Sequence, residues 1–581
     1  MRAFSISRLW PWLAAAFSGL LLALCFPPYN VSGLAFVALI PLLCAVWLKR
    51  PERRPGWYWF RLGYVAGLVF FTMTFVWLSE LAPLFNNGLL RFLSFYLSLY
   101  LALFIALWTW LAGWIVGQHF APIPPPDPRE PFSRPPLLLS TRNLALGIIL
   151  AAGWTTLEWA RGLGALSFGW NALGVALHKD VFLIQIAEYT GAHGLSFLLV
   201  LCNIIGLVTV LRLRAEVGRG RLRPHFDFSL TVALVVGVFI FGVRVLRKGE
   251  PEEGTTLHVV SLQPNIPQAW KLAGDRDDEI FERLGLLHSY AEHRQAHLTM
   301  WPEASVPGGM LRDEGVEEFI RELASRVPAL LLGTDDHSRD RNSAALLISN
   351  RNAITLYTEQ ALVPFGEFGV FRAVVAWGVV AALEMPSRAP VTFYDKQHLV
   401  PFGEYLPFPP LLGWAVGGLV PGDFSPGLEP GVFELPHPGL TLAPLICFED
   451  TVAGLTRRPV LRGADVLINL TNDGWFGKSP GAEQHFINSI FRTIENRRPL
   501  LRCTNTGISA SVDIFGRVER WEKPFTPAVI ERRVKIPRVE EMAFYTRNGD
   551  VFPLGCMALS VVAIAVRLGF SRRRKTTTRR K

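Results

Sequence analysis

A helix that crosses a bilayer core needs a run of about 20 apolar residues, and runs of this kind fill most of the first 250 residues of the chain. Seven stand out, at Leu9–Phe26, Gly33–Leu48, Tyr58–Leu78, Leu90–Val116, Leu144–Trp159, Gly191–Leu211 and Phe228–Val245, with an eighth at Val551–Phe570. The chain therefore reads as a polytopic α-helical membrane protein of about eight spans. Half of its residues are hydrophobic and only 18% are charged, which excludes a disordered chain and argues against a wholly soluble enzyme. The first run has no small-residue cleavage site ahead of Phe26-Pro27-Pro28, and further spans follow at once, so it reads as a span and not as a cleaved leader. Six cysteines in 581 residues are too few for a disulfide scaffold.

The net charge of +10 is unevenly placed. Alternate connections carry the cations: Arg2 and Arg8, then Lys49, Arg50, Arg53 and Arg54, then Arg129, Arg134 and Arg142, then five arginines within Arg212–Arg223, and finally the tail Arg572–Lys581. The short loops between them hold only Lys179. Lys and Arg stay on the cytoplasmic side of a membrane, so both termini are expected in the cytoplasm and the segment between spans seven and eight on the other face. The charge is thus a topology signal and not a nucleic-acid footprint, and the basic tail reads as an anchor on anionic lipid. The expected division is a membrane domain over 1–249, an extracytoplasmic domain over 250–548, and a final span with its tail over 549–581.

The central segment has a different grain. Short β-rich runs at Leu257–Leu262, Ala329–Leu332, Ala344–Ile348, Leu440–Cys447, Asp465–Leu470 and Leu500–Thr504 alternate with helical stretches at Asp277–Arg294, Val316–Arg326 and Ala482–Asn496. Continuous apolar strands between amphipathic helices predict α/β structure with covered sheet faces. Reactive groups in such folds gather at the carboxyl ends of strands, and three motifs stand there. Trp301-Pro302-Glu303 follows an apolar run, Tyr394-Asp395-Lys396 leads into Gln397–Tyr405, and Pro444-Leu445-Ile446-Cys447-Phe448-Glu449-Asp450 ends a buried strand with a cysteine.

Each motif alone has a plain structural reading: a strand-end cysteine is a small hydrophobe, a Glu after Trp-Pro a turn carboxylate, a Lys a solvated charge. Together they form a working set. A thiol attacks a carbonyl, a carboxylate takes its proton and an ammonium stabilises the oxyanion. A free cysteine has a pKa of about 8.5 and needs such neighbours near neutrality.

These motifs, in this order, resemble the nitrilase (carbon–nitrogen hydrolase) superfamily with its Glu-Lys-Cys triad, and the whole pattern resembles the apolipoprotein N-acyltransferases. Further supporting segments are Gln263–Gln268, His398–Pro407, Gly422-Asp423-Phe424, Asn469–Gly477 and Thr504–Ser509, with Glu158–Gly162 and Ser167–Trp170 in the membrane part. The resemblance implies an α-β-β-α sandwich on the periplasmic side of a bacterial inner membrane. It implies Glu303 as general base, Lys396 as oxyanion-side cation and Cys447 as nucleophile. Glu404 and Glu449 become supporting carboxylates, Phe448 lends its backbone N–H to the oxyanion hole, and Trp270 contributes to substrate binding. The implied reaction moves an acyl chain from a membrane phospholipid, through a cysteine thioester, to the α-amino group of a diacylglyceryl-cysteine on a lipoprotein. It needs no cofactor or metal, and nothing requires more than a monomer.

The segment Tyr357–Phe368 nearly repeats the Lys396 motif but has Glu359 at the lysine position. A carboxylate there would repel an oxyanion, so the role is assigned to Lys396. Two uncharged stretches too short to span, Val374–Leu383 and Leu411–Val420, are expected to lie at the interface and frame a lipid entrance. The rival readings are a membrane-anchored amidase acting on a small substrate and a transporter with an appended domain. The transporter would need intramembrane charges along a pathway, and the spans hold few.

Overall fold

The computed structural model describes residues 6–49, 55–116, 136–218, 220, 222–307, 314–336, 341–349, 391–401, 403–410 and 424–579. The repeated motif at 357–368 and both apolar arms, 374–383 and 411–420, lie outside these residues.

The apolar runs are helical. Among the described residues, five helices are long and apolar enough to cross a bilayer: Gly88–Val116, Leu137–Arg161, Ala192–Val217, Phe226–Lys248 and Val551–Gly569. Pro55–Thr74 and Val76–Leu84 pass the same test as a pair bent by 52°. Leu9–Leu24 and Ser32–Leu48 are shorter. The second of these is made of a 3-10 turn at Ser32–Phe36 and an α-helix at Ile40–Leu48. Leu230, Val232, Leu234 and Val236 on one helix, with Val561, Val562 and Val566 on another, are uncovered by protein. Such a band of exposed aliphatic side chains suits lipid.

Among the described residues, the strands between these helices build two six-stranded sheets. The first runs β12 (Ala528–Pro537), β1 (Gly254–Gln263), β2 (Leu298–Met300), β3 (Ala329–Asp336), β4 (Arg341–Ile348) and β5 (Val391–Asp395). The second runs β11 (Val518–Arg520), β10 (Ala510–Val512), β9 (Leu500–Thr504), β8 (Val466–Thr471), β7 (Leu440–Ile446) and β6 (Phe433–Leu435). The central trios β1–β2–β3 and β7–β8–β9 are parallel, and the flanking pairs antiparallel.

Side chains alternate across each strand. Leu257, Val259, Leu331, Leu442, Ile446 and Ile468 meet between the sheets. Val260, Leu262, Leu330 and Leu332 face outward onto Ile280, Leu284, Ile320 and Leu323 of the Asp277–Glu292 and Glu314–Ala324 helices. On the other side Ala443, Leu445 and Leu467 pack on Phe486 and Ile490 of the Gly481–Asn496 helix. The result is a four-layer sandwich whose buried strands have apolar residues on both faces, which is why they read as continuous hydrophobic runs.

The Gly481–Asn496 helix has no broad solvent face. While Phe486 and Ile490 contact the sheet, Ile487, Phe491 and Ile494 join the core of the membrane helices. Gln484 ties the same helix to them. Its Oε1 accepts from Trp77 Nε1 (3.0 Å) and Asn171 Nδ2 (3.1 Å), and its Nε2 donates to the carbonyls of Pro27 (3.0 Å) and Thr74 (2.8 Å). All of a buried amide's strong partners are thereby met across the junction.

Candidate active site

Three strand ends converge. Glu303 follows β2 through Trp301-Pro302, and the chain then turns through Ala304 at φ +46°. Gly333 on the neighbouring β3 packs so closely that a Cβ there would lie 2.5 Å from the Glu303 Cα, so this approach requires glycine. Lys396 follows β5, its N–H bonded to the Asn342 carbonyl at 2.8 Å. Cys447 follows β7 at φ +49°, a left-handed turn that side chains other than glycine adopt only at a cost. Two residues come from one sheet and the third from the other.

The Lys396 side chain is 1% exposed, and its Nζ donates to Glu404 Oε1 at 2.7 Å and to Glu303 Oε1 at 3.3 Å. Asn342 Nδ2 donates to the same two oxygens, 2.9 Å from Glu303 and 3.2 Å from Glu404. The outer oxygens are also held: Glu303 Oε2 by the Asn472 N–H (3.0 Å) and Glu404 Oε2 by the Val400 N–H (2.7 Å). Burial alone would lower the ammonium's pKa, but Glu404 and Glu303 outweigh it and hold Lys396 well above the usual lysine range. The lysine is a fixed cation.

Cys447 lies within the field of this group. Burial first, and then the Glu303 carboxylate, push its thiol well above the ordinary cysteine range, against the downward pull of Lys396. The resting sulfur is therefore a neutral thiol with a carboxylate and an ammonium beside it. Such a sulfur needs a base at the moment of attack.

Glu449 fastens the lysine loop to the cysteine elbow. Its Oε1 accepts from the N–H groups of Gln397 (2.6 Å) and His398 (3.1 Å), while its Oε2 accepts from Ile446 N–H at 2.8 Å. Tyr394 Oη donates to both oxygens at 3.1 and 3.0 Å. Burial raises the Glu449 carboxyl to about 7, with the Ile446 N–H, Lys396 and the loop N–H groups opposing it.

The wall of the site comes from the membrane half. Phe448 stacks on His398 (centroids 5.5 Å apart, 10° between planes) and on Trp170 (5.7 Å, 16°), with Phe168 at 6.2 Å. Ser167 Oγ lies 3.2 Å from His398 Nε2, and Trp170 Nε1 donates to Thr451 Oγ1 at 3.2 Å. The structure thus brings Glu303, Lys396, Glu404, Cys447, Phe448 and Glu449 together. Trp270 is elsewhere: it packs in the outer layer with the guanidinium groups of Arg276 and Arg283 over its ring, at 4.9 and 5.3 Å. Its helix still reaches the site through Lys271 Nζ to the Ala304 carbonyl (2.8 Å) and through Gln268 Oε1, which accepts from Asn472 Nδ2 (2.8 Å).

Beneath the elbow lies a group that the sequence did not announce. Asp450, Asp473, His485 and Arg502 are all fully buried. His485 Nδ1 is 2.8 Å from Asp473 Oδ1 and its Nε2 3.0 Å from Asp450 Oδ1. Arg502 reaches Asp450 Oδ2 at 2.6 Å and Asp473 Oδ2 at 3.1 Å. One signal was readable: an arginine inside the apolar strand Leu500–Thr504 cannot be buried without carboxylate partners.

Residues 18–205 match the apolipoprotein N-acyltransferase N-terminal domain, and residues 260–544 match the carbon–nitrogen hydrolase family. An apolipoprotein N-acyltransferase of Geobacter metallireducens is 30% identical over 572 residues, 96% of this chain and 95% of that protein. The chain belongs to the apolipoprotein N-acyltransferase family. A Thermotoga maritima relative of the same name is 28% identical, over 97% of this chain and 95% of that one. Among solved structures, an amidase from Nesterenkonia sp. AN1 aligns with 52% of this chain and 97% of its own, at 15% identity and a TM-score of 0.34. Membership sets the chain among acyltransferases with a carbon–nitrogen hydrolase domain and apolar helices suited to a membrane, and its N-terminal match favours this over a small-substrate amidase.

Proposed function

We propose that the protein transfers a fatty acyl chain from a membrane phospholipid, through a thioester on Cys447, to the α-amino group of an N-terminal S-diacylglyceryl-cysteine on a lipoprotein. The observation that carries this reading is the fixed Lys396 cation between Glu303 and Glu404, beside a buried thiol on a strained strand-end turn. In the first step the sulfur attacks the ester carbonyl carbon while Glu303 takes the thiol proton. The carbonyl electron pair moves onto oxygen, facing the Lys396 ammonium and the Phe448 N–H. Collapse breaks the ester C–O bond, and Glu303 returns the proton to the leaving lysophospholipid. In the second step the amine attacks the thioester and gives a proton to Glu303. The C–S bond breaks, and the sulfur takes that proton.

The same reading assigns eight spans, with both termini cytoplasmic and residues 250–548 on the periplasmic face, the membrane domain being 1–249 and the last span with its tail 549–581. Its support is the placement of Lys and Arg. Drawing a long acyl chain fully into water costs on the order of 10 kcal/mol, so the nucleophile must meet its donor at the bilayer surface. Phe448, next to Cys447, packs on Phe168 and Trp170 from the membrane half, which suits that requirement. The protein works as a monomer without a cofactor. The test is incubation of the full-length protein with phospholipid vesicles labelled in the acyl chain. A hydroxylamine-sensitive adduct that disappears in Cys447→Ala is expected; no adduct on the unsubstituted protein refutes the reading.

A further inference from the structure

The buried quartet beneath the cysteine elbow touches the reacting residue through its backbone. Nε2 of His485 faces only acceptors, the Asp450 carboxylate and the Cys447 carbonyl, so it carries a proton, while Nδ1 faces the Asp473 carboxylate and an Arg502 N–H. Arg502 is paired with both aspartates, so these buried carboxylates do not lack a counter-charge. The Arg502 N–H lies 3.0 Å from His485 Nδ1, and the same guanidinium reaches Asp473. The ring cannot move far. Trp170 stacks on it at 5.1 Å, Phe476 meets it edge-on at 6.1 Å, and the adjacent Gln484 is bonded on every side to the membrane half.

His485 Nε2 lies 3.3 Å from the Cys447 carbonyl oxygen, which also accepts from Asn469 Nδ2 at 2.9 Å. In a planar trans peptide the C=O and the following N–H point in opposite directions. Two donors on the Cys447 carbonyl therefore fix where the Phe448 N–H aims. Donors on a carbonyl also polarise the peptide and strengthen its N–H.

We infer that His485 is a positioning residue for acyl transfer: its Nε2–H acts through the Cys447 carbonyl to aim and polarise the Phe448 N–H that meets the oxyanion. The inference rests on the thioester reading above. His485→Gln replaces the ring donor by a more flexible amide donor, and His485→Leu removes the donor. Two rates are compared on the full-length protein in phosphatidylethanolamine–phosphatidylglycerol vesicles: single-turnover acyl-adduct formation, and alkylation of Cys447 by iodoacetamide. Alkylation displaces iodide and builds no oxyanion, so only the first rate senses the donor.

Loss of an oxyanion-hole donor costs about 10²–10³ in rate. The Leu variant is accordingly expected to lose about 100-fold in adduct formation and the Gln variant about tenfold, with alkylation changed less than about threefold. Half-saturation by phospholipid is expected to stay unchanged. Equal losses in both assays, as a shifted elbow would give, overturn the inference, and so does full adduct formation by the Leu variant. Should the Leu variant fail to accumulate, the Gln variant decides, and equal effects on its two rates overturn the inference. Absence of adduct on the unsubstituted protein would instead strike the thioester reading, so the two failures are distinguishable.

Discussion

Replacing Lys396 by Met keeps the length of the side chain and removes its charge. Its Nζ serves two carboxylates at 2.7 and 3.3 Å from a side chain that is 1% exposed. Breaking a buried ion pair by removing one partner costs about 3–5 kcal/mol, because the remaining charge is left uncompensated. Here Glu404 and Glu303 would keep Asn342 Nδ2 and one backbone N–H each, all of them uncharged donors, so a loss within that range is expected in unfolding free energy. A domain stability in the middle or upper part of the usual range of about 5–15 kcal/mol survives such a loss. If Lys396 also stabilises the oxyanion, adduct formation falls at least about 10²–10³-fold.

The double variant Lys396→Met/Glu404→Gln separates the two roles. It removes the second unpaired carboxylate and should return about 2 kcal/mol of stability while leaving adduct formation at the level of the single variant. Stability is read from tryptophan fluorescence during unfolding in detergent, and chemistry from single-turnover labelling. A double variant that recovers labelling along with stability would show that Lys396 only neutralises carboxylates. Unchanged labelling in the single variant would dismiss it from the reaction altogether.

Other outcomes follow from the same geometry. Glu303→Gln keeps an acceptor for Asn342 and loses the base, so adduct formation should fall about 10²–10⁴-fold with the protein still folded; unchanged labelling would move the base elsewhere. Because burial and Glu303 raise the Cys447 thiol, its alkylation should still be climbing at pH 9, and a plateau near neutrality would contradict the site's electrostatics. Burial lowers His398 from 6.5 to about 4, so the unfolded chain binds the extra proton across that window. Stability from this group is present above pH 6.5 and lost as pH falls toward 4. His398→Phe, which preserves the stack on Phe448, should flatten that part of the profile. Truncating Trp170 to Ala removes a buried ring from Phe448 and His485 and should cost about 3–5 kcal/mol, measurable as a lower unfolding temperature.

Much of this architecture was legible in the hydrophobic pattern. The strand ending in Ile446 and the helix beginning near Gly481 fall within a residue or two of the runs read from the sequence, because buried strands and amphipathic helices leave strong local periodicities. Span boundaries were less so. Apolar sequence marks what avoids water, yet not where a 3-10 turn gives way to an α-helix, as between Phe36 and Ile40.

Glu303 and Cys447 could be singled out because each follows an apolar run, where the fold type places reactive groups, and Lys396 through the resemblance of its motif to the nitrilase superfamily. Their sequence separations say nothing of distance. Only the packing of two sheets decides that Lys396 is shared by Glu303 and Glu404, that Glu449 clamps the lysine loop to the elbow, and that Trp170 from the membrane half covers Phe448. The quartet around His485 depends on tertiary structure most of all. Its members are drawn from two short 3-10 helices, an α-helix and a strand, and their charges are tolerable only because the fold brings opposite signs together in its interior.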